Sequence, residues 1–237
     1  MLRRLAAGFC LWLLCSVPAM AGVAATVVFL TGQPQVIATD GRIRSLVRGS
    51  EIAAGETIDT ADGRVQLRYR DGATMSLQPA TRFRIDRFQY SGSARAVADD
   101  GVLMTLLKGG LRTVTGWLGR KERSQYRIGT SVATIGIRGT EFGALLDESG
   151  LFVTTYAGLV EVCSEVACRD VAPSETVWVR AAGVRPELRD EAAGRQLNSE
   201  GAVPETPVVR EVQPMQPPPQ APPPPSPQHY PGQSYRP

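Results

Sequence analysis

Apolar and polar residues alternate with a period of two through much of this chain, and that pattern limits the fold more than any other feature. Val65, Leu67 and Tyr69 alternate with Arg64, Gln66, Arg68 and Arg70. Met75 and Leu77 alternate with Thr74, Ser76 and Gln78, and Phe83 and Ile85 with Arg82, Arg84 and Asp86. A side-chain period of two is a strand with one dry and one wet face. Phe88 is out of phase with Phe83 and Ile85, which predicts a bulge near Asp86–Arg87. Residues 102–107 and 145–156 are apolar on both parities, so these strands are expected to be central. Asp-Gly pairs at 40–41, 62–63, 71–72 and 100–101 tolerate positive φ and predict tight turns. Their irregular spacing and the lack of a Gly-Gly-x-Gly-x-Asp unit argue against a calcium-binding repeat. Many short antiparallel strands with frequent turns imply an all-β domain, and a sandwich, a barrel and a short solenoid all fit. One helix is expected late, from Pro186 through Ala193, with Pro at a first-turn position.

The two ends read differently from the middle. Arg3 and Arg4, an apolar run over 5–17 and Ala19-Met-Ala21 form the three-part layout of a secretory signal peptide over 1–21. The rival reading is a retained anchor, since no charge occurs between Leu5 and Leu30, but Pro18 interrupts that run. No later apolar stretch is long enough for a transmembrane helix. Export would place the protein in the periplasm or outside the cell. Residues 204–237 hold 13 of the chain's 18 prolines, and Pro217–Pro219 and Pro222–Pro225 favour extended polyproline II, so a disordered tail is expected. The folded β domain is expected over 22–180, with a linker or short helix over 181–203.

Charge and chemistry narrow the function. Lys and Arg number 26 against 23 Asp and Glu, a net charge of +3, which offers no footprint for nucleic acid. The single His is His229, inside the Pro-rich tail. A folded region without His builds no Ser-His-Asp triad and no His metal site, and no cofactor motif occurs. After removal of 1–21, Cys163 and Cys168 are the remaining cysteines, flanking four residues between apolar strands. In an oxidising compartment they are expected to form a disulfide staple across a hairpin, contributing roughly 2 kcal/mol. The C-x4-C spacing is not that of a zinc or redox pair.

Five phrases in order carry a family resemblance. They are LVRGSEIAAGETIDT at 46–60, YRDGATMSLQPAT at 69–81, LKGGLR at 107–112, VATIGIRGTEF at 132–142 and YAGLVEV at 156–162. Together they resemble the FecR domain family over roughly residues 26–180. The resemblance implies a β-rich extracytoplasmic domain. The best-known members are transmembrane regulators of iron uptake that bind a sigma factor through a cytoplasmic segment and sense a transporter on the periplasmic side. Ahead of the matching phrases this sequence shows the apolar leader instead of such a segment, so the resemblance implies the interaction module and not the whole signalling role.

Two clusters are the candidate interaction residues. Arg138-Gly139-Thr140-Glu141 lies in the most specific phrase. Its arginine suits an anionic partner and its glycine lets backbone amides approach one. The structural alternative is a turn at Gly139, with Arg138 paired to a carboxylate such as Glu141. Arg120-Lys121-Glu122-Arg123 is the densest basic run, suited to phospholipid headgroups, an acidic glycan or simply solvent. No two carboxylates are brought together for glycosidase chemistry. The sequence therefore predicts a non-catalytic, FecR-like interaction or sensory module of the bacterial envelope, whose partner is an envelope protein. The alternatives are a structural protein binding peptidoglycan or another envelope polymer, and a part of a sigma-factor system acting through a separate membrane partner.

Overall fold

The structure, a computed structural model, describes residues 22–92, 99–120 and 125–189. The expected leader over 1–21 and the Pro-rich tail lie outside the described residues. Fifteen strands follow one another: β1 Val23–Thr31, β2 Gln35–Ile37, β3 Ile43–Ser45, β4 Glu51–Ala53, β5 Thr57–Asp59, β6 Arg64–Tyr69, β7 Thr74–Leu77, β8 Arg82–Gln89, β9 Gly101–Val114, β10 Tyr126–Gly129, β11 Thr134–Asp147, β12 Gly150–Cys163, β13 Cys168–Val171, β14 Thr176–Val179 and β15 Glu187–Arg189. The only helical element among the described residues is a 3-10 turn, Leu118–Arg120.

Pairing resolves these strands into two layers of one continuous sheet. The first layer runs β3, β2, β5, β8, the first half of β9, β10, the first half of β11, the second half of β12 and β13. The second runs β4, β1, β6, β7, the second half of β9, the second half of β11, the first half of β12, β14 and β15. Every pairing is antiparallel except that of β10 with β9. The sheet does not close into a barrel: β3 and β4 stand at one end of the layers, and β13 and β15 at the other.

The period-two pattern does what it predicts. Along β6 and β7 the residues Val65, Leu67, Tyr69, Met75 and Leu77 are buried, and the arginines between them point outward. The two dry faces meet in a single core that includes Phe83 and Ile85 from the first layer and Leu111 and Phe142 from the second. Tyr69 of β6 ties the layers together. Its ring lies 5.8 Å from that of Phe88, and its hydroxyl is 3.5 Å from Met104 Sδ. Burial on this scale drives the fold, at about 1.5–3 kcal/mol per large apolar side chain.

Three strands of 14 residues, β9, β11 and β12, belong to both layers. Each crosses at a glycine with positive φ: Gly109 (+85°), Gly139 (+61°) and Gly158 (+80°). The ladder between β11 and β12 breaks its register at this place, between Arg138 and Glu141. A Cβ on Gly158 would stand 2.2 Å from the Gly139 carbonyl oxygen, and one on Gly109 would stand 2.5 Å from Thr81 Cα. Only glycine permits both the dihedral and the approach.

Local expectations are met in most places. The register of β8 slips between Ile85 and Arg87, so the phase change at Phe88 is a bulge. Asp40-Gly41 and Asp71-Gly72 turn the β2–β3 and β6–β7 hairpins, and Asp62-Gly63 carries the chain between layers. Asp100-Gly101 differs, because Gly101 is the first residue of β9. The residues expected to open a late helix are instead β15: Glu187–Arg189 pair with Thr176–Trp178 of β14. A free sheet edge offers more backbone hydrogen bonds than a three-residue piece of helix, which outweighs local propensity.

Candidate functional site

The family-like phrases converge on the corners of the sheet. LVRGSEIAAGETIDT ends at Thr60 and YRDGATMSLQPAT at Thr81, and these two residues clamp one another. The Thr60 hydroxyl accepts from the Thr81 amide at 2.9 Å and donates to the Gln78 carbonyl at 2.7 Å. Thr81 repeats the device on Gly110 of the LKGGLR phrase, its hydroxyl accepting from the Gly110 amide and donating to the Gly110 carbonyl. On the opposite side of the sandwich Thr115 does the same to Thr140, accepting from its amide at 2.9 Å and donating to its carbonyl at 3.0 Å. Each buried hydroxyl supplies the acceptor for a backbone amide that the break in the ladder would otherwise leave unpaired. Thr140 and Gly139 of the RGT sequence are therefore a structural corner.

The structural alternative for Arg138, a pair with Glu141, is not the one that forms. Glu141 does not pair with Arg138. Its Oε1 accepts from Nε and Nη2 of Arg112 at 3.0 and 2.5 Å. The reason is the corner itself: Gly139 turns the chain between layers, so residues 138 and 141 leave it on different layers. Arg112 also lies 4.3 Å from the centroid of Tyr156. Burial raises the pKa of the Tyr156 hydroxyl above its ordinary value, while the Arg112 guanidinium pulls it down. This Arg112–Glu141–Tyr156 group was missed by sequence reasoning. Arg112 ends the LKGGLR phrase, and that was its one signal.

Arg138, released from Glu141, is exposed and makes no ion pair among the described residues. Arg120, from the other candidate cluster, comes to the same corner: a Cβ on Gly139 would lie 4.0 Å from Arg120 Cγ. The 3-10 turn that carries Arg120 packs on β11 through Gly119, where a Cβ would stand 2.7 Å from Ile137 Cδ1. Two arginines from separate candidate clusters thus flank an exposed strip of small residues, Gly139, Ala157 and Gly158. Lys121 and Arg123 follow Arg120 in sequence but lie outside the described residues.

Beneath this corner Asp71 anchors the segment leading to Arg120. Its carboxylate accepts from the Ala73 amide at 3.1 Å and the Leu118 amide at 3.2 Å. Burial raises its pKa above the usual carboxylate value, against the opposing pull of those two amides. Burial also pushes the hydroxyls of Tyr69 and Tyr126 up. No group of three or more His, Cys, Asp or Glu side chains suited to a metal ion occurs among the described residues. Cys163 and Cys168 face each other on β12 and β13 and are joined by a disulfide, with Cα atoms 4.0 Å apart. No helix among the described residues is long and apolar enough to cross a membrane.

Two solved structures, each described as a "putative anti-sigma factor" from Parabacteroides distasonis ATCC 8503, resemble the chain at 17% and 16% identity and a TM-score of 0.45 each. The resemblance covers 56% of this chain and 59% of each of those, so the chain spans about three-fifths of their length. No curated protein matches. A family model described as FecR protein matches residues 56–161, from the eve of β5 to the second half of β12. That span takes in the clamps at Thr60, Thr81 and Thr115 and all three crossing glycines, so the match of residues 56–161 to the FecR family model rests on the corners of the sheet.

Proposed function

We propose that this chain is an exported, non-catalytic signalling module of the bacterial envelope that docks an acidic surface of a partner protein through the corner at Arg120 and Arg138. The observation that carries the reading is the convergence of these two exposed arginines, 18 positions apart in sequence, beside the small-residue strip Gly139, Ala157 and Gly158. Arginines that make no ion pair among the described residues are available to an acidic partner, and a strip of small residues lets a surface approach closely. The corner is also rigid, held by the Thr115–Thr140 clamp and by Asp71. The family supports a regulatory role, and the disulfide is consistent with an oxidising compartment.

The test is crosslinking in cells with a photoreactive residue at Ala157, in the full chain and in the double variant Arg120→Glu/Arg138→Glu. One crosslinked envelope protein, lost in the double variant at unchanged melting temperature, is the expected result. The same adduct at the same yield in both proteins removes the corner from the interaction. Enrichment of cell-wall fragments instead would point to a polymer-binding protein. Export is checked separately, since a denatured preparation from the periplasm should show no free thiol from Cys163 or Cys168.

A further inference from the structure

The sandwich is closed on one side by the crossings of β11 and β12 and partly open on the other, where β9 crosses. On the open side, beyond the crossing at Gly109, a turn of the first layer (Thr130–Ala133) and the β11–β12 hairpin of the second (147–150) stand apart. Between them lies a cleft of about 800 Å³ with an apolar lining that includes Leu107, Val132, Leu145 and Leu146. This volume is within the usual range of ligand-binding clefts.

The main chain at one wall of the cleft is incomplete. β10 pairs with β9 as far as Thr105, and β11 takes up the same flank of β9 only at Gly109. Between these points, Leu106, Leu107 and Lys108 have no neighbouring strand on that flank among the described residues. The three residues span about 10 Å of extended chain. The other backbone at the mouth is more fully used: the Thr130 amide donates to the Ala133 carbonyl, and the Ser149 amide donates to Asp147 Oδ1. The cation beside the open flank is Lys108. Arg180 also lines the rim, 4.6 Å from the Trp178 ring centroid, and Asp147 and Glu148 lie across on the hairpin, with Asp147 accepting from the amide and the hydroxyl of Ser149. Lys108 makes no ion pair among the described residues.

We propose that this cleft is a docking slot for an extended acidic peptide segment of a partner protein, which adds as a short strand to β9 at Leu106–Lys108. Backbone pairing to the open flank supplies register, an apolar side chain fills the space over Leu107 and Val132, and an acidic residue meets Lys108 or Arg180. The slot is on the opposite side of the sandwich from the Arg120–Arg138 corner and is independent of it.

The probe is a library of random decapeptides displayed on phage and selected against the full-length protein, followed by binding of the enriched peptide, as a synthetic fluorescent peptide, to the protein and its variants. The expected result is an acidic consensus with an apolar residue. Its affinity should fall at least tenfold in Lys108→Glu and be unchanged in Arg120→Glu/Arg138→Glu. Amide hydrogen exchange in the wild-type protein gives a reading that does not depend on a variant's folding, and the peptide should slow exchange within residues 106–108. Failure to enrich any peptide, or a peptide that protects other strands, or one that binds Lys108→Glu as tightly as the wild type, overturns the proposal.

Discussion

The two halves of this domain solve the same problem in different ways. From β1 to β8 the chain moves between layers in the connections, and each strand belongs to one layer. From β9 to β12 three strands bend through both layers without ending. The first solution is tolerant where the connection is an exposed turn, although at Gly32 and Gly63, where the β1–β2 and β5–β6 connections touch, a Cβ would meet backbone at 2.7 and 2.0 Å. Gly49, in the β3–β4 connection between layers, has a φ of +87° but nothing within 4 Å of where a Cβ would be. The second is strict, because the bent strands touch at the bend, and a Cβ on Gly158, at +80°, would stand 2.2 Å from the Gly139 carbonyl oxygen. The same dihedral is therefore a local preference at Gly49 and a packing requirement at Gly158.

Alanine at these two glycines makes the sharpest test of the contrast. Gly49→Ala should cost only the left-handed backbone penalty of about 1–2 kcal/mol. Gly158→Ala adds the displacement of a neighbouring backbone and should cost about 3–5 kcal/mol in urea unfolding. Equal losses at the two sites would end the distinction between the halves.

The threonine clamps test whether the halves nonetheless share a device. Thr60→Val and Thr115→Val keep the shape and remove the hydroxyl. Each leaves a buried amide, of Thr81 or Thr140, without its acceptor. Both should cost about 2 kcal/mol, the usual penalty for stranding such a donor. A loss confined to Thr115→Val would mean that only the bent strands depend on the clamp.

This difference also explains what the sequence disclosed. Alternation along 64–70 and 74–78 is a property of single-layer strands, and it located β6 and β7 directly. The bent strands hide the same rule, because crossing at a glycine breaks the period. Outward residues that are themselves apolar, such as Leu103 and Leu107, each 44% exposed, obscure it further. The phrases LKGGLR, RGT and YAGLV marked all three crossings, yet nothing in them states that a strand changes layer there. The pairing of Glu141 with Arg112 was illegible for that reason, since a contact over 29 positions depends on where the bend sends each strand. So was the meeting of Arg120 with Gly139, which depends on the 3-10 turn packing on β11. Glu187–Arg189 misled because a three-residue edge strand is set by its neighbour and not by its own composition.

The smallest effect lies at the contact between the halves. Asp71 sits in the β6–β7 turn, in the tolerant half, and its carboxylate holds the Leu118 amide just past β9, in the strict half. Burial raises its pKa in the folded state, so the folded protein binds this proton more tightly than the unfolded chain does. Asp71 therefore favours folding most at pH values below its ordinary pKa of 3.8, and that contribution is lost as pH rises through the raised value. The sign is opposite to that of a carboxylate held by a salt bridge. Asp71→Asn removes the titration but keeps one acceptor, and its amide group then faces a backbone N–H in place of the second oxygen. Its stability should be lower than wild type at neutral pH through the lost hydrogen bond. Above pH 3.8 it should also lack the part of the wild-type slope in which stability falls with rising pH. Parallel pH profiles for the two proteins would show that the amides of Ala73 and Leu118 offset the burial in full, and that the joint between the halves does not respond to protons.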